Sequence, residues 1–241
     1  MRTFKSHLKG RKMENLNVIY EDNHVIVVIK PQNIPTQADE SGDKDMLTIV
    51  KEYLKEKYNK PGEAFVGLVH RLDRPTGGVM VFAKTSKSAT RLSEQIRNDE
   101  MSKKYVAVTL GVPKQPKMQL VNYLLKNPKT NSVSVVPELT TNAKKAILDY
   151  ELKDVQGKYS LVDVDLHTGR SHQIRVQLKH IGCPIMGDIK YGGNEVKGCN
   201  LALWAYELKF VHPTTKQKLT FKVYPPAENT PWRLFNLDKF I

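Results

Sequence analysis

The sequence predicts an α+β fold whose sheet is at least partly antiparallel. Three observations lead there. Short β-rich runs recur along the whole chain, about three segments carry helical apolar spacing, and no repeat, low-complexity tract or sharp composition change divides the chain. At 241 residues and 27.5 kDa it is long enough to bury a proper core, as one large domain or two small ones.

Val18–Tyr20 and Val25–Ile29 are β-rich and are separated by the polar turn Glu21-Asp22-Asn23-His24, which reads as a hairpin or two neighbouring strands. Lys30-Pro31 ends the second, since proline removes a sheet donor. Residues 32–45 are polar and irregular, a surface loop. Leu47–Tyr58 has Leu47, Val50, Leu54 and Tyr58 on one helical face, and Lys60-Pro61-Gly62 stops it. Val79–Ala83 is a buried strand. Thr85-Ser86 then caps a helix over about 87–98, with Ala89, Leu92 and Ile96 inward and Arg91 and Arg97 toward solvent or phosphates. Lys103–Leu110 is a strand ended by Gly111-Val112-Pro113.

Residues 114–157 hold short β-rich pieces at Gln119–Leu125, Val133–Val136 and Lys144–Tyr150, read as hairpins exposed to a partner. Tyr159–Leu166 alternates clearly and is a strand. Ser171–Ile181 is a helix after the turn His167-Thr168-Gly169-Arg170, with Ile174 and Leu178 facing the core and Arg175 beside them. Cys183-Pro184, Gly187-Asp188 and Tyr191-Gly192-Gly193 form polar, turn-rich connections. Leu201–Phe210 is apolar and ambiguous between strand and helix, and Gln217–Tyr224 is a strand.

The formal charge is +13, from 38 Lys plus Arg against 25 Asp plus Glu, which favours a polyanionic partner, nucleic acid above all. Cys183 and Cys199 are too few for a disulfide scaffold, and neither they nor the seven histidines show a metal-binding spacing. The basic N-terminus lacks a signal-peptide core, and no run is long enough to span a membrane. These features describe a reduced, cytoplasmic protein. Residues 1–15 read as a flexible basic arm ahead of a folded domain over 16–241.

Residues 68–83, LVHRLDRPTGGVMVFA, place Asp73 at a strand end between Arg71 and Arg74. Opposite charges favour the carboxylate, so Asp73 suits a nucleophile or a base, although a structural ion pair has the same letters. Asp73 with Asp188 would satisfy a glycosidase pair, but the basic balance opposes it. No GxxxxGK[ST] loop is present, and Gly77-Gly78 precedes a strand rather than a helix, which leaves it a tight turn. Tyr105 opens its strand after Lys103-Lys104 and is either core or a platform for an extruded base. His70 and His172 are each an acid, a base or a loop-orienting group.

With these residues in hand, the chain resembles an RNA pseudouridine synthase of the RluA type. Tyr20-Glu21-Asp22 with Val25 to Lys30-Pro31 resembles the opening YED…VVxKP segment. His70-Arg71-Leu72-Asp73-Arg74-Pro75-Thr76 resembles the catalytic HRLDxxT motif, and Lys104-Tyr105-Val106-Ala107 the KxY strand. Thr168 to Val176 resembles TGRxHQIRV, and Gly182 to Gly192 resembles GhPixGDxxYG. The chain departs from the pattern at Gly77, where a serine is usual, and at Gln177, where a histidine is usual.

The resemblance implies the pseudouridine synthase fold, a mixed, largely antiparallel sheet flanked by helices. It also implies conversion of uridine in structured RNA, ribosomal or transfer, to pseudouridine, with no cofactor and no metal. Asp73 would be the essential carboxylate, attacking C1′, attacking C6 of uracil, or abstracting the 2′ proton to give a glycal. Arg175 would pair with Asp73, and Tyr105 would stack on the base and help remove the C5 proton. Arg71 would fill the space of the flipped nucleotide or bind its phosphate. His70, Arg74, Thr76, Lys104, Arg170, His172 and Gln173 complete the expected RNA-binding set. Many relatives carry a small N-terminal RNA-binding domain; too few residues precede Val18 for one, so target choice is expected to rest on the catalytic domain. No membrane partner and a monomeric state are expected. A protein that keeps this fold and binds RNA without turnover is the alternative.

Overall fold

A computed structural model describes residues 16–192, 198–226 and 231–241. The expected arm at 1–15, and Gly193 of the second turn patch, lie outside the described residues. In chain order the elements are β1 (Asn17–Glu21), β2 (Val25–Lys30), α1 (Met46–Lys57), β3 (Gly67–Leu68), β4 (Gly77–Ala83), α2 (Ser86–Arg97) and β5 (Ser102–Leu110). There follow β6 (Lys117–Asn127), β7 (Ser132–Val136), β8 (Lys144–Gln156), β9 (Tyr159–Leu166), α3 (Gln173–His180), β10 (Leu203–Val211) and β11 (Lys218–Lys222). The fold is α+β, with a mixed, largely antiparallel sheet flanked by helices. Contacts group the residues into two compact units, one running to Met101 and including Glu207–Val223, the other Ser102–Tyr206 with Tyr224–Ile241.

In the first unit β2 pairs with β1 on one side and β4 on the other, all antiparallel. Val25–Val28 and Met80–Ala83 are fully buried, which explains their unbroken apolar runs. Helix α2 is capped where its sequence suggests, Thr85 accepting Ser88 N–H at 3.1 Å, and α1 is capped by Asp45 at the end of the expected loop, which accepts Thr48 N–H at 3.1 Å. The inward stripe of α1 is Met46, Ile49, Val50 and Leu54; Leu47 is only half-buried and Tyr58 is exposed, so the expected face is rotated. Arg91 is half-buried, and one of its terminal nitrogens donates to Pro213 O at 2.7 Å. Buried Gln95 exchanges two 2.8 Å bonds with the backbone of Val211, continuing the β10 ladder with a side chain.

The Tyr20-Glu21-Asp22 segment is a clamp. Asp22 accepts the N–H groups of His24 and Val25 at 2.7 and 2.8 Å and the Tyr20 hydroxyl at 3.0 Å. Its other partner is His212 Nε2 at 2.7 Å, whose Nδ1 accepts Thr214 and Thr215 N–H. Glu21 is bound by Lys57 and Lys84, both at 2.7 Å, and by Tyr58 at 2.7 Å and Tyr53 at 3.2 Å. Burial by itself would raise its pKa; the bonds from Lys57, Lys84 and Tyr58, and the charge of Lys84, overcome that and hold it at about 2.

In the second unit the strand order is β5-β9-β8-β6-β7, again antiparallel throughout. Here β8 runs past the expected Tyr150 to Gln156, and its register shifts between Leu152 and Asp154. The apolar run near 201–210 is strand β10, buried along most of its length. The helix α3 is shorter than expected, starting at Gln173, with Ile174 and Leu178 buried as expected. Val176 of α3 packs with Leu124, Val133, Ala146 and Tyr191, which sets the helix on one face of this part of the sheet.

Candidate active site

Asp73 stands in the connection between β3 and β4, half-buried, on a backbone that is fixed almost atom by atom. Leu72 O accepts the Thr36 hydroxyl at 2.8 Å, and Asp73 O accepts Thr76 N–H at 2.9 Å. Arg74 O accepts both Asn33 N–H at 2.8 Å and Lys30 Nζ at 3.0 Å. Pro75 O accepts Gln32 Nε2 at 3.1 Å, and Thr76 O accepts Lys30 Nζ at 2.8 Å. Every carbonyl from Leu72 to Thr76 therefore has a donor, mostly from residues 30–36, a segment whose sequence reads only as strand end and polar loop.

Lys30 is the unusual member. It is fully buried at the end of β2, and its third acceptor is its neighbour's carbonyl, Pro31 O, at 2.9 Å. Burial pushes its ammonium down to about pKa 7, with Asp73 opposing and Arg74 adding to that shift. Across the ladder from Lys30 lies Gly78 at φ +130°, a conformation suited to glycine. That accounts for the second glycine of Thr76-Gly77-Gly78, whereas Gly77, the departure from the usual serine, has no such φ.

Around Asp73 the expected substrate-binding residues have distinct placements. His70 accepts Val81 N–H on Nε2 at 3.0 Å, so that ring nitrogen serves the β4 backbone. Arg71 is exposed. The Arg74 guanidinium turns to Asp43, to the Ser41 hydroxyl at 2.7 Å and to Asp39 at 3.5 Å. Thr76 is buried, and its hydroxyl has no hydrogen-bond partner among the described residues.

In the second unit, alternation assigns the faces. Tyr105 opposes Val164, which opposes Tyr150; Tyr150 shares its face with Ala146, against which α3 packs. Tyr105, 6% exposed, thus lies on the α3 face. Lys104 lies on the other, where its ammonium is 3.9 Å from Asp163 and lines an open cavity of about 400 Å³ with Asp149, Glu151 and Asp165. Burial pushes the Asp163 carboxyl up, against the pull of the Tyr206 hydroxyl bonded to it at 2.9 Å.

Arg175 projects from the first turn of α3 and is 6% exposed. Asp188, 1% exposed, takes its Nε and one terminal nitrogen, both at 2.8 Å, a bidentate pair. The Tyr191 ring lies 5.0 Å from the guanidinium carbon. Gly187, at φ +77°, lets this turn run against Asn200, whose carbonyl would sit 2.3 Å from any Cβ. His172, at φ +53°, precedes the helix with Nδ1 2.7 Å from the Tyr191 hydroxyl. Gln173 is consumed by the turn before α3: it accepts from the Thr168 hydroxyl and Arg170 N–H and donates to Ile147 O. Exposed Arg170 donates to Lys145 O at 3.0 Å. Gln177, the departure from the usual histidine, donates to Asn122 Oδ1 at 2.8 Å and to Leu120 O at 3.2 Å, fastening α3 to β6.

Three residues of this architecture were not among the expected site residues: Lys30, Asp188 and Tyr191. All three lie within the quoted motif blocks, which was the available signal. Among the described residues no group of His, Cys, Asp or Glu is placed to hold a metal ion, and no helix is long and apolar enough to cross a membrane.

Comparison with known proteins completes the picture. The sequence profile described as RNA pseudouridylate synthase matches residues 24–180. The ribosomal large subunit pseudouridine synthase C of Buchnera aphidicola is 33% identical over 211 residues, 84% of this chain and 65% of that protein. The tRNA pseudouridine synthase C of Haemophilus ducreyi is 33% identical over 223 residues, 85% of this chain and 89% of that one. The chain spans just under two thirds of the length of several relatives it matches. The solved structure of human RNA pseudouridylate synthase domain containing 4 shares the fold, at a TM-score of 0.73 and 24% identity over 87% of this chain and 88% of that one. Motif blocks, fold and relatives agree: the chain belongs to the RNA pseudouridylate synthase family, RluA type.

Proposed function

We propose that this protein isomerises uridine to pseudouridine within structured RNA, ribosomal or transfer, and that it does so in the cytoplasm. The observation that carries the reading is the Asp73 loop. A carboxylate is presented from a backbone whose five successive carbonyls are all held, so little reorganisation remains for the reaction to require. Relatives named for the ribosomal large subunit and for tRNA support both RNA classes as candidates.

In this reading the N1–C1′ bond breaks, uracil turns, and a C5–C1′ bond forms. The C5 proton leaves and N1 gains one, so atoms and electrons balance without a cofactor. Asp73 is the reacting carboxylate, and Tyr105 stacks on the extruded base with its hydroxyl available for the C5 proton. Arg175 supplies positive charge to the reaction, and Arg71 meets the vacated stack or its phosphate. The excess of lysine and arginine holds phosphates, so RNA affinity falls steeply with salt.

The test maps pseudouridines by carbodiimide labelling in cells lacking the protein, complemented by the intact chain or by Asp73→Asn. Release of C5 tritium from labelled ribosomal and transfer RNA is followed in vitro. Sites restored only by the intact chain are expected, with tritium release down more than about 1,000-fold in Asp73→Asn. RNA retention without tritium release by the intact protein would instead support a binding protein with no turnover.

A further inference from the structure

The short turn Asp188–Tyr191 makes three separate attachments within the second unit. Asp188 holds the Arg175 guanidinium. Lys190 donates to Thr130 O at 3.2 Å and Asn131 O at 3.1 Å, the turn joining β6 to β7. Tyr191 touches both sides: its ring backs Arg175, and its hydroxyl accepts Val133 N–H of β7 at 2.8 Å and meets His172 Nδ1 at 2.7 Å. Tyr191 is 5% exposed and packs with Leu124, Val133, Ala146 and Val176, and its bond to Val133 N–H is buried.

Resting on the pseudouridine synthase reading, we infer that Tyr191 is a positioning residue whose hydroxyl joins His172 to the β6–β7 hairpin while its ring backs Arg175. The hairpin and the two motif side chains thereby share one geometry. The hydroxyl accepts the Val133 N–H and shares a second hydrogen bond with His172 Nδ1, so one oxygen ties the imidazole to β7. The hairpin carries exposed Lys126 and Lys129, cations suited to RNA phosphates. RNA held there is set in register with Arg175 through one phenol, a contact whose value lies in placement rather than in affinity.

Tyr191→Phe removes the hydroxyl and keeps the ring. The expected result is a fall in kcat of about tenfold or more, with KM and RNA Kd within about twofold. His172→Ala should give a similar loss, and the double variant should be no worse than either single one. The second readout is the ¹⁵N spectrum of the His172 ring, whose Nδ1 signal should shift in Tyr191→Phe as its 2.7 Å hydrogen bond is lost. Unchanged kcat, a rise in KM alone, or a kcat loss that tracks only the unfolded fraction would each overturn the inference. So would a His172 ring spectrum indifferent to the substitution. If the intact protein shows no turnover, the proposed function fails, and the ring spectrum then decides the role of Tyr191 alone. Should Tyr191→Phe not fold, the His172→Ala kcat and KM decide it.

Discussion

The two ends of the candidate machinery are held by different physics. The Asp73 loop is fixed through its backbone: carbonyls 72–76 all accept hydrogen bonds, and only Lys30 among the donors carries charge. Arg175 is fixed through side chains, by a buried carboxylate, an aromatic face and a neighbouring His–Tyr pair. A backbone cradle spreads its energy over many weak bonds. A buried ion pair concentrates it, because removing one partner strands the other without solvent. The first end should therefore tolerate single side-chain changes, and the second should not.

The sharpest break of that contrast is Asp188→Ala. It leaves the Arg175 charge buried without its bidentate partner, in a pair whose side chains are 7% and 0% exposed. A loss of about 3–5 kcal/mol is expected, measured by urea unfolding. By contrast Thr36→Val removes the hydroxyl bonded to Leu72 in the Asp73 cradle and should cost only about 1 kcal/mol. Equal costs would show that the cradle is as concentrated as the ion pair.

The same distinction explains what the sequence could reveal. The strands β2, β4 and β9 and the cap Thr85 are local facts, written in apolar runs, alternation and a short polar residue. The motif blocks likewise bring Asp73, Tyr105 and Arg175 forward. Partner choice is not local. Arg74 adjoins Asp73 in sequence, yet its guanidinium goes to residues 39–43. Lys104 precedes Tyr105, and strand alternation sends the two to opposite faces. Gln173, expected to bind RNA, spends its amide on the turn before α3. The segment near 201–210 defeats periodicity because β10 is buried on both faces and shows no alternation. Lys30 looks like an ordinary strand-ending cation; its burial becomes visible only when the carbonyls of a loop 44 and 46 residues away close over it.

Lys30 makes the cradle sensitive to pH. Its pKa is about 7 in the folded chain, against about 10.4 for an unfolded lysine, so the unfolded state binds more protons between those values. Stability from this group therefore rises with pH, by about 2 kcal/mol from pH 7 to pH 9. Neutral Lys30 has one N–H fewer for its three acceptors, so the loop should loosen as stability grows, and kcat should fall over the same range. Lys30→Met should abolish both slopes, in urea titrations and in tritium-release rates. A slope surviving in Lys30→Met would assign it to another group and return the loop to a purely uncharged scaffold.

The smallest effect tests whether a charged cluster elsewhere in the first unit behaves like the cradle or like the ion pair. Glu21 has a folded pKa of about 2, depressed from 4.5, so its contribution is complete above the unfolded value. It is lost as pH falls from about 4.5 toward 2. Its side chain is 7% exposed while that of Lys57 is 43% exposed, so solvent screens part of the attraction. Glu21→Gln keeps the shape and an acceptor for the two lysines and two tyrosines, and should cost about 1.5 kcal/mol at pH 7. The cost should shrink toward zero near pH 2. Four donors around one carboxylate resemble the cradle in number and the Arg175 pair in charge, and a cost well above 3 kcal/mol would place Glu21 with the concentrated pair.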